Sequence, residues 1–450
     1  MSVQVAARQP FCYIWCMKIE EKYISDTVRK GIGLLAEIHK RRHAAYIAGG
    51  AVRDLVIRQL GMVPGTDAGV PVHDVDIATN MPIEDLKLAF RCDSNNGEAH
   101  GTILVHYEGL VFEVTQFRVD GDYSDGRHPD SVNFTKSFKE DCARRDFTIN
   151  AMGLDKDLNV IDYFGGIDDL VFRRLRAVGN PYDRMTEDSL RIIRGMRFAA
   201  RFGFVIDDLT KLAMRSRLHH VKNVAMERVH DELRKCAEYG AGPFMRMIDY
   251  LADYGIGSIF QDAGFCFERQ RTLVNCCAGN GLGADAIMGA FICMLPTKTM
   301  EWLRCTRKEI RIAERIKAGL LSIMTGKFGM SDEQLLYSVN LAASPEFPII
   351  VSMCRYLNPH GTAVGDCAVT VCEIIARCRK GEPEYGKQVS AEGVAEGPEF
   401  GKRLREVILA DYKRIKDNWY KTFKPGCGNH GKTYMVRNSG IWGMDGNARV

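Results

Sequence analysis

The sequence predicts a mixed α/β unit over its first 155 residues, followed by a long half that is almost wholly helical. Three observations predict this. Short apolar runs broken by Gly-containing turns occupy the first part. From Thr186 to about residue 418 the apolar residues recur at helical spacing. At 450 residues the chain is too long for one ordinary core, so two to four domains are expected.

Taken in order, residues 18 to 42 read as an amphipathic helix carrying Ile19, Tyr23, Ile24, Val28, Ile32, Leu35 and Ile38. Ala45 to Ala48 reads as a strand ending in the tight turn Gly49-Gly50, and Ala51 to Leu60 as the helix after it. Residues 61 to 73 are rich in Gly and Pro and read as a loop. Val75 to Ala78 is a short strand. Thr102 to His106 and Leu110 to Arg118 alternate like paired strands, with Glu108-Gly109 as their turn. Asp120 to Pro129 is rich in Gly, Asp and Pro and is expected to be mobile. After Asp162-Tyr163-Phe164-Gly165-Gly166 the pattern becomes helical, with breaks at Gly240 to Pro243, Gly279 to Gly283 and Pro359 to Gly361. Residues 419 to 450 read as a basic, loosely ordered tail. No fixed-period repeat is present.

Composition excludes several classes. With 46% hydrophobic and 26% charged residues, the chain is expected to be globular rather than disordered. No apolar run is long enough to cross a bilayer. The patch Phe11 to Met17 lacks the long apolar core of a secretory signal, and Arg8 is the only basic residue before it. A cytoplasmic protein is therefore expected, with a mitochondrial one as the alternative and Met17 as an alternative start. The 15 cysteines include no C-x-x-C pair, which suits reduced, buried thiols. A net charge of +4 permits nucleic-acid binding where basic residues cluster.

Three groups of residues carry chemistry. The first is Gly49-Gly50-Ala51-Val52-Arg53-Asp54, followed by Asp74-Val75-Asp76. Side chains alternate along a strand, so Asp74 and Asp76 point the same way. Two such carboxylates repel unless a cation lies between them, and hard oxygen ligands suit Mg²⁺ with substrate phosphates. The glycines let the backbone approach an anion, the next helix offers free N–H groups, and Arg53 adds a fixed cation. Glu113, on a neighbouring strand, is either a third carboxylate or an exposed strand residue. The second group is Arg144-Arg145-Asp146-Phe147-Thr148-Ile149-Asn150, which suits phosphate plus a ribose hydroxyl, or else a surface salt-bridge cluster. The third runs from Glu187 to Arg201. Thr186 is expected to cap this helix, with acids in its first turn. Asp188, Arg191, Arg194 and Arg197 form a ridge curling around it. Asp188 and Arg191 could read a base edge and Arg194 and Arg197 could meet phosphates; the alternative is a solvated, salt-bridged face.

Together the runs GGAVRD, DVDIAT, FEVTQFRVDGDYSDGRHPDSVNF, RRDFTINAM, DYFGGIDDL, TEDSLRIIRGMRFAARFGF and ERVHDELRK resemble the ordered motifs of class II tRNA nucleotidyltransferases. That family includes CCA-adding enzymes, their A-adding and CC-adding relatives, and bacterial poly(A) polymerases. The resemblance covers about Ala45 to Lys235, with a weaker echo from Glu396 to Ile408. It implies a polymerase-beta-like nucleotidyltransferase head followed by an all-α neck, body and tail. The implied divisions are 1–30 (N-terminal extension and helix start), 31–155 (catalytic head), 156–235 (neck with the nucleotide-selecting helix), 236–330 (body), 331–418 (tRNA-binding tail) and 419–450 (basic extension).

The resemblance also implies roles. Asp74 and Asp76 would hold catalytic Mg²⁺ ions, with Glu113 as a further candidate. Gly49, Gly50 and Arg53 would contact the triphosphate, Arg145 the nucleotide and Asp146 its ribose. Asp188 and Arg191 would select C or A, and Arg194 and Arg197 would bind phosphates. Asp162 to Asp168 would be a hinge, Glu227 to Lys235 a brace for the neck helices, and Asp120 to Pro129 the loop that helps switch from C to A. The implied partners are the tRNA 3′ end, CTP and ATP, with no membrane and no obligate protein partner. The loop between Asp54 and Asp74 is longer than the family's, and residues 419 to 450 have no counterpart in it. Three rivals stay open: a poly(A) polymerase or partial adder, a small-molecule nucleotidyltransferase, and a catalytically silent tRNA-binding protein. RNA contact is expected along the helical half, including Lys402, Arg403, Arg405, Lys413 and Arg414, or these form a solvated face.

Overall fold

The computed structural model describes residues 17–62, 74–93, 97–120, 132–258, 266–278 and 282–324, residue 350, and short stretches between 387 and 410. The chain divides into two compact units, Met1–Met324 with Ser344–His360, and Thr325–Ala343 with Gly361–Val450. In the second unit, residues 387–391, 398–400 and 402–404 are helical, and Arg403 pairs with Glu392 and Glu406. Most of residues 61–73, all of 121–129 and 419–450, and Arg405, Lys413 and Arg414 lie outside the described residues.

The first unit begins with α1 (Asp26–Lys40). This helix starts later than its apolar spacing suggests. Ser25 accepts a hydrogen bond from the Val28 N–H and so caps it, while Glu21–Tyr23 forms a separate 3₁₀ turn. Val28, Leu34, Leu35 and Ile38 are buried along one face.

Seven strands form the sheet: β1 (Ala45–Ala48), β2 (Asp76–Thr79), β3 (Arg91–Asp93), β4 (Thr102–Tyr107), β5 (Leu110–Gln116), and, after the separate β6–β7 hairpin (Arg118–Asp120 and Val132–Phe134), β8 (Met152–Leu154) and β9 (Val160–Asp162). Their order is β3-β4-β5-β2-β1-β8-β9. β2 and β5 run parallel and the other neighbours antiparallel. The β4–β5 hairpin turns at Glu108-Gly109 as expected, and both residues have positive φ (45° and 78°). The sheet runs past residue 155 to Asp162. α2 (Gly50–Gln59), α3 (Ile83–Ala89) and α4 (Phe138–Ala143) pack around it. Tyr46 stacks on Phe138 at 4.4 Å, within a cluster that includes Phe117, Cys142 and Val178. Burying each such ring stabilises the fold by roughly 1.5–3 kcal/mol.

The junction to the helical part is built from local hydrogen bonds. The Asp162 carboxylate accepts from the N–H groups of Phe164, Gly165, Gly166 and Ile167 at 2.9–3.1 Å, and so caps α5 (Gly166–Val171). A Cβ on Gly166 would lie 2.4 Å from the Thr148 carbonyl oxygen, so only glycine fits. Thr148 N–H donates to the Arg176 carbonyl and Val178 N–H to the Asp146 carbonyl, tying the end of the head to β10 (Arg174–Leu175) and the residues after it.

Then come α6 (Pro181–Glu187), α7 (Leu190–Phe202), β11 (Val205–Ile206, paired with β10), α8 (Asp208–Arg217), α9 (Met226–Ala237), α10 (Ala241–Asp253), α11 (Phe267–Asn275), α12 (Ala284–Ile292), α13 (Thr297–Trp302) and α14 (Arg307–Met324). The expected break at Gly240 is present, at φ +94°. The expected cap at Thr186 is not. Asn180 and Pro181 start a helix of their own, and Thr186 lies in its last turn, donating to the Tyr182 carbonyl. Asp188 is extended between the two helices, and its carboxylate accepts from the Leu190 N–H at the start of α7. Glu187 and Asp188 therefore precede α7 instead of forming its first turn.

The described cysteines are free, and burial pushes the thiols of Cys142, Cys236, Cys277 and Cys293 up to about 12. Among the described residues no helix is long and apolar enough to cross a membrane.

Candidate active site

A cavity of about 750 Å³ opens between the ends of the central strands β1 and β2 and helices α7 and α9. Gly49, Gly50, Arg53, Asp74, Asp76, Arg145, Asp146, Asp188, Arg191, Arg194 and Arg197 all line it. The sheet supplies one wall. β1 ends at Gly49, whose φ of +75° turns the chain into α2, so the N-terminus of α2 faces the cavity. A Cβ on Gly49 would sit 3.0 Å from Nη1 of Arg145, so the missing side chain makes room for that guanidinium.

β1 and β2 pair Ala48 with Asp76, and β2 and β5 pair Asp76 with Glu113. Asp74 precedes β2, so the alternation argument reaches only Asp76, yet both line the cavity. Glu113 stands beside Asp76 in register and is outside the lining. Burial by the cavity walls holds the Asp76 carboxyl above its ordinary range, and the charges of Glu113 and Asp74 add to this against the pull of Arg145. No salt bridge reaches these three carboxylates among the described residues. The pair Asp74 and Asp76, both on the cavity wall, fits a hard divalent cation completed by phosphate oxygens.

Behind this wall the polar groups are tightly satisfied. Arg53 is buried. It donates to Asp54 at 2.8 Å and to the Asn150 side chain at 2.6 Å, and it lies over the Phe198 and Phe202 rings. Arg145 donates to Asp141 at 3.1 Å, while its buried Nε has no partner among the described residues. Asp146 is buried and accepts from Arg194 (2.7 and 2.9 Å), Asn150 and the Phe147 N–H. Burial alone would raise its carboxyl, but Arg194 and Asn150 bring it down to about 2.

The helical wall carries the other half. Arg191 donates to the carbonyls of Arg184 and Arg144 and to Glu187 at 2.6 Å. Arg197 is 5% exposed and bound to Glu232 at 2.5 Å. Asp188 is gripped by Arg228 at 2.9 and 3.3 Å. Sequence reasoning missed Ile57, Arg58, Phe202 and Tyr239, which also line the cavity, and the partners Arg228 and Glu232. The i, i+3 and i+4 spacing from Asp54 to Ile57 and Arg58 on α2 was the available signal for the first two.

Among the described residues, one trio of ligand-type side chains has its ligand atoms within 4.8 Å of one another: His230, Cys305 and Glu309. Glu309 there accepts from the Thr306 N–H, Arg234 and His230, so it caps α14 and cross-links it to α9.

Residues 45–176, which carry the glycine turn, the helix N-terminus and the carboxylates of β2, match the family model described as the poly A polymerase head domain. The curated relatives are more particular. A CCA-adding enzyme of Enterococcus faecalis is 40% identical over 212 residues, covering 47% of this chain and 50% of that protein. One of Streptococcus agalactiae serotype V is 39% identical over 229 residues, covering 50% and 54%. The chain thus spans about half the length of the curated relatives it matches. These matches bear out the resemblance read from the motifs. The Bacillus stearothermophilus CCA-adding enzyme in complex with CTP shares the fold at a TM-score of 0.59 and 24% identity, over 88% of this chain and 100% of that one. The Thermotoga maritima CCA-adding enzyme complexed with tRNA does so at 0.58 and 18%, over 91% and 99%.

Proposed function

We propose that this chain is a template-independent RNA nucleotidyltransferase that builds or repairs the CCA end of tRNA from CTP and ATP. The observation that carries this is the gathering of the expected residues in one cavity, with bare carboxylates on one wall and base-reading groups on the other. The names of the curated relatives support it.

Asp74 and Asp76 would hold Mg²⁺. When bound there, the ions supply charge neutralisation at the reacting phosphate and acidify the RNA 3′-hydroxyl, as in two-metal catalysis. The remaining work falls to the chain. The α2 N-terminus with Gly49, Gly50 and Arg53 receives the triphosphate. Arg145, on the cavity wall, adds positive charge for the nucleotide. Asp146, ionised at any working pH, has all four acceptor positions taken by Arg194, Asn150 and the Phe147 N–H, so a ribose hydroxyl would have to displace one of these. Arg194 and Arg197 contribute positive charge on the facing wall.

Base choice follows from counting hydrogen bonds. A carboxylate offers about four lone-pair positions. Asp188 uses three of them, on Leu190 N–H and on both Nη atoms of Arg228. The fourth can accept an exocyclic amine, which C and A carry and U does not. Arg191 has its Nη1 hydrogens and one Nη2 hydrogen engaged, which leaves Nε–H and one Nη2–H for a ring nitrogen or carbonyl. A mismatched base leaves a buried group unpaired, at about 1–3 kcal/mol.

The test is extension of tRNA lacking its 3′ CCA, with Mg²⁺ and CTP, ATP or both, followed by sequencing of the ends. Two C from CTP, then one A with both present, is expected. A single A on CC-ended tRNA alone, or a long A tail on any RNA, would move the chain to a relative with the same chemistry. Binding of tRNA without incorporation would overturn the enzyme reading, as would full metal-dependent activity in Asp74→Ala.

A further inference from the structure

The far end of the cavity is not used by the mechanism above. It is lined by Ile57 and Arg58 of α2, Arg201 and Phe202 of α7, and Lys235 and Tyr239 at the end of α9. Arg58 lies eight residues along α2 from Gly50, a rise of about 12 Å from the helix end that receives the triphosphate. Arg201 is a fixed plank there. Its guanidinium lies over the Phe202 ring at 4.6 Å and over the Tyr239 ring at 4.1 Å, and it reaches Asp54 at 3.5 Å. The two cations beside it are different. Arg58 has no side-chain ion pair among the described residues. Lys235 is 54% exposed, and its nearest acid, Glu232 at 3.8 Å, is already bound to Arg197 at 2.5 Å.

A fixed aromatic and guanidinium surface flanked by uncommitted cations is the chemistry of single-stranded nucleic-acid binding: bases stack and phosphates pair. A triphosphate tail would use the cations and leave the rings without a role. We propose that Tyr239, with Phe202 and Arg201 behind it, stacks a base near the 3′ end of the acceptor RNA, while Arg58 and Lys235 take its backbone phosphates. This deepens the nucleotidyl-transfer reading and rests on it.

The experiment uses the full chain and measures KM for acceptor tRNA at saturating CTP and KM for CTP at saturating acceptor. Tyr239→Ala should raise the acceptor KM roughly 10- to 100-fold and leave the CTP KM within about two-fold. Tyr239→Phe should restore it, which a lost hydroxyl hydrogen bond would not allow, and the unmoved CTP KM separates the effect from misfolding. Arg58→Gln with Lys235→Gln should raise the acceptor KM and reduce the slope of its logarithm against log salt by about 1.4, the value for two single-strand phosphates. A rise in the CTP KM with the acceptor KM unchanged, or no change in either, overturns the subsite. If the wild-type protein incorporates nothing, the function reading itself fails. Fluorescence polarisation of a labelled single-stranded RNA ending in CC then decides the subsite separately: weaker binding to Tyr239→Ala supports it, and equal binding overturns it.

Discussion

The two walls of the cavity treat charge in opposite ways. On the sheet wall, Asp74 and Asp76 line the cavity, Glu113 stands beside Asp76 in register, and none of the three has a salt bridge among the described residues. On the helical wall every arginine of the ridge is held by an acid: Arg191 by Glu187, Arg194 by Asp146 and Glu232, Arg197 by Glu232. Asp188 is held in turn by Arg228. The difference separates two jobs. Charge that must meet an arriving cation is left uncompensated, at a cost in stability. Groups that must hold a fixed direction are locked by neighbours, at a cost in free donors.

The comparison breaks most visibly at Asp76. Asp76→Asn should lower the extension rate by roughly three orders of magnitude, while the melting temperature stays level or rises because a repulsion is removed. A melting temperature that falls as far as in a helical-wall variant would end the contrast. Glu232→Gln is that variant. It leaves Arg197 buried without a counter-charge and should cost about 3–5 kcal/mol in denaturant unfolding.

The pH dependence sharpens the contrast, because a carboxylate locked by the ridge and a bare one should titrate with opposite sign. Asp146 has its carboxyl lowered from 3.8 to about 2 in the folded protein. Its contribution of roughly 2 kcal/mol is therefore present above pH 3.8 and lost as pH falls toward 2. The stability gap between wild type and Asp146→Asn should close over that range. Asp76 is raised, so its favourable contribution is present below 3.8 and lost as pH rises through the folded value. Against Asp76→Asn, metal-free wild type should lose ground as pH rises. The smallest effect is expected at Arg228. Its replacement by Ala frees Asp188 to rotate, and CTP-over-UTP selectivity should drop about 10-fold with little change in kcat.

Much of this was legible in local sequence. The strand, Gly49-Gly50 and helix succession and the Glu108-Gly109 hairpin depend on residues close together in the chain, whereas the cavity's members, spread from Gly49 to Arg197, are named through the resemblance of their motifs. The rest depends on distant partners. Asp76 meets Glu113 only because β2 and β5 pair in parallel, a register no local pattern states. Whether Arg194 or Arg197 is free is decided by Asp146 and Glu232, 48 and 35 residues away. The run from Thr186 to Leu190 reads as one capped helix start because Thr, Glu and Asp all favour that position. Asn180-Pro181 had already begun another helix, which pushed the cap on to Asp188. Tyr239 lies beyond the end of its helix, where periodicity stops indicating a direction.

The clamp at Asp162 bears on how the chain is made. Its carboxylate gathers four amides within five residues, so the loop it closes loses very little entropy. The ties from Asp146 and Thr148 reach residues 176–178, all of which precede α7 in the chain. Every strand of the seven-stranded sheet has been translated by residue 162, and its link to β10 by residue 178, before any of α7 exists. During synthesis the head can therefore close as a unit on the emerging chain. The arginine ridge then arrives after the head and docks onto a surface that has already taken shape, and α9 brings Glu232 to lock it later still.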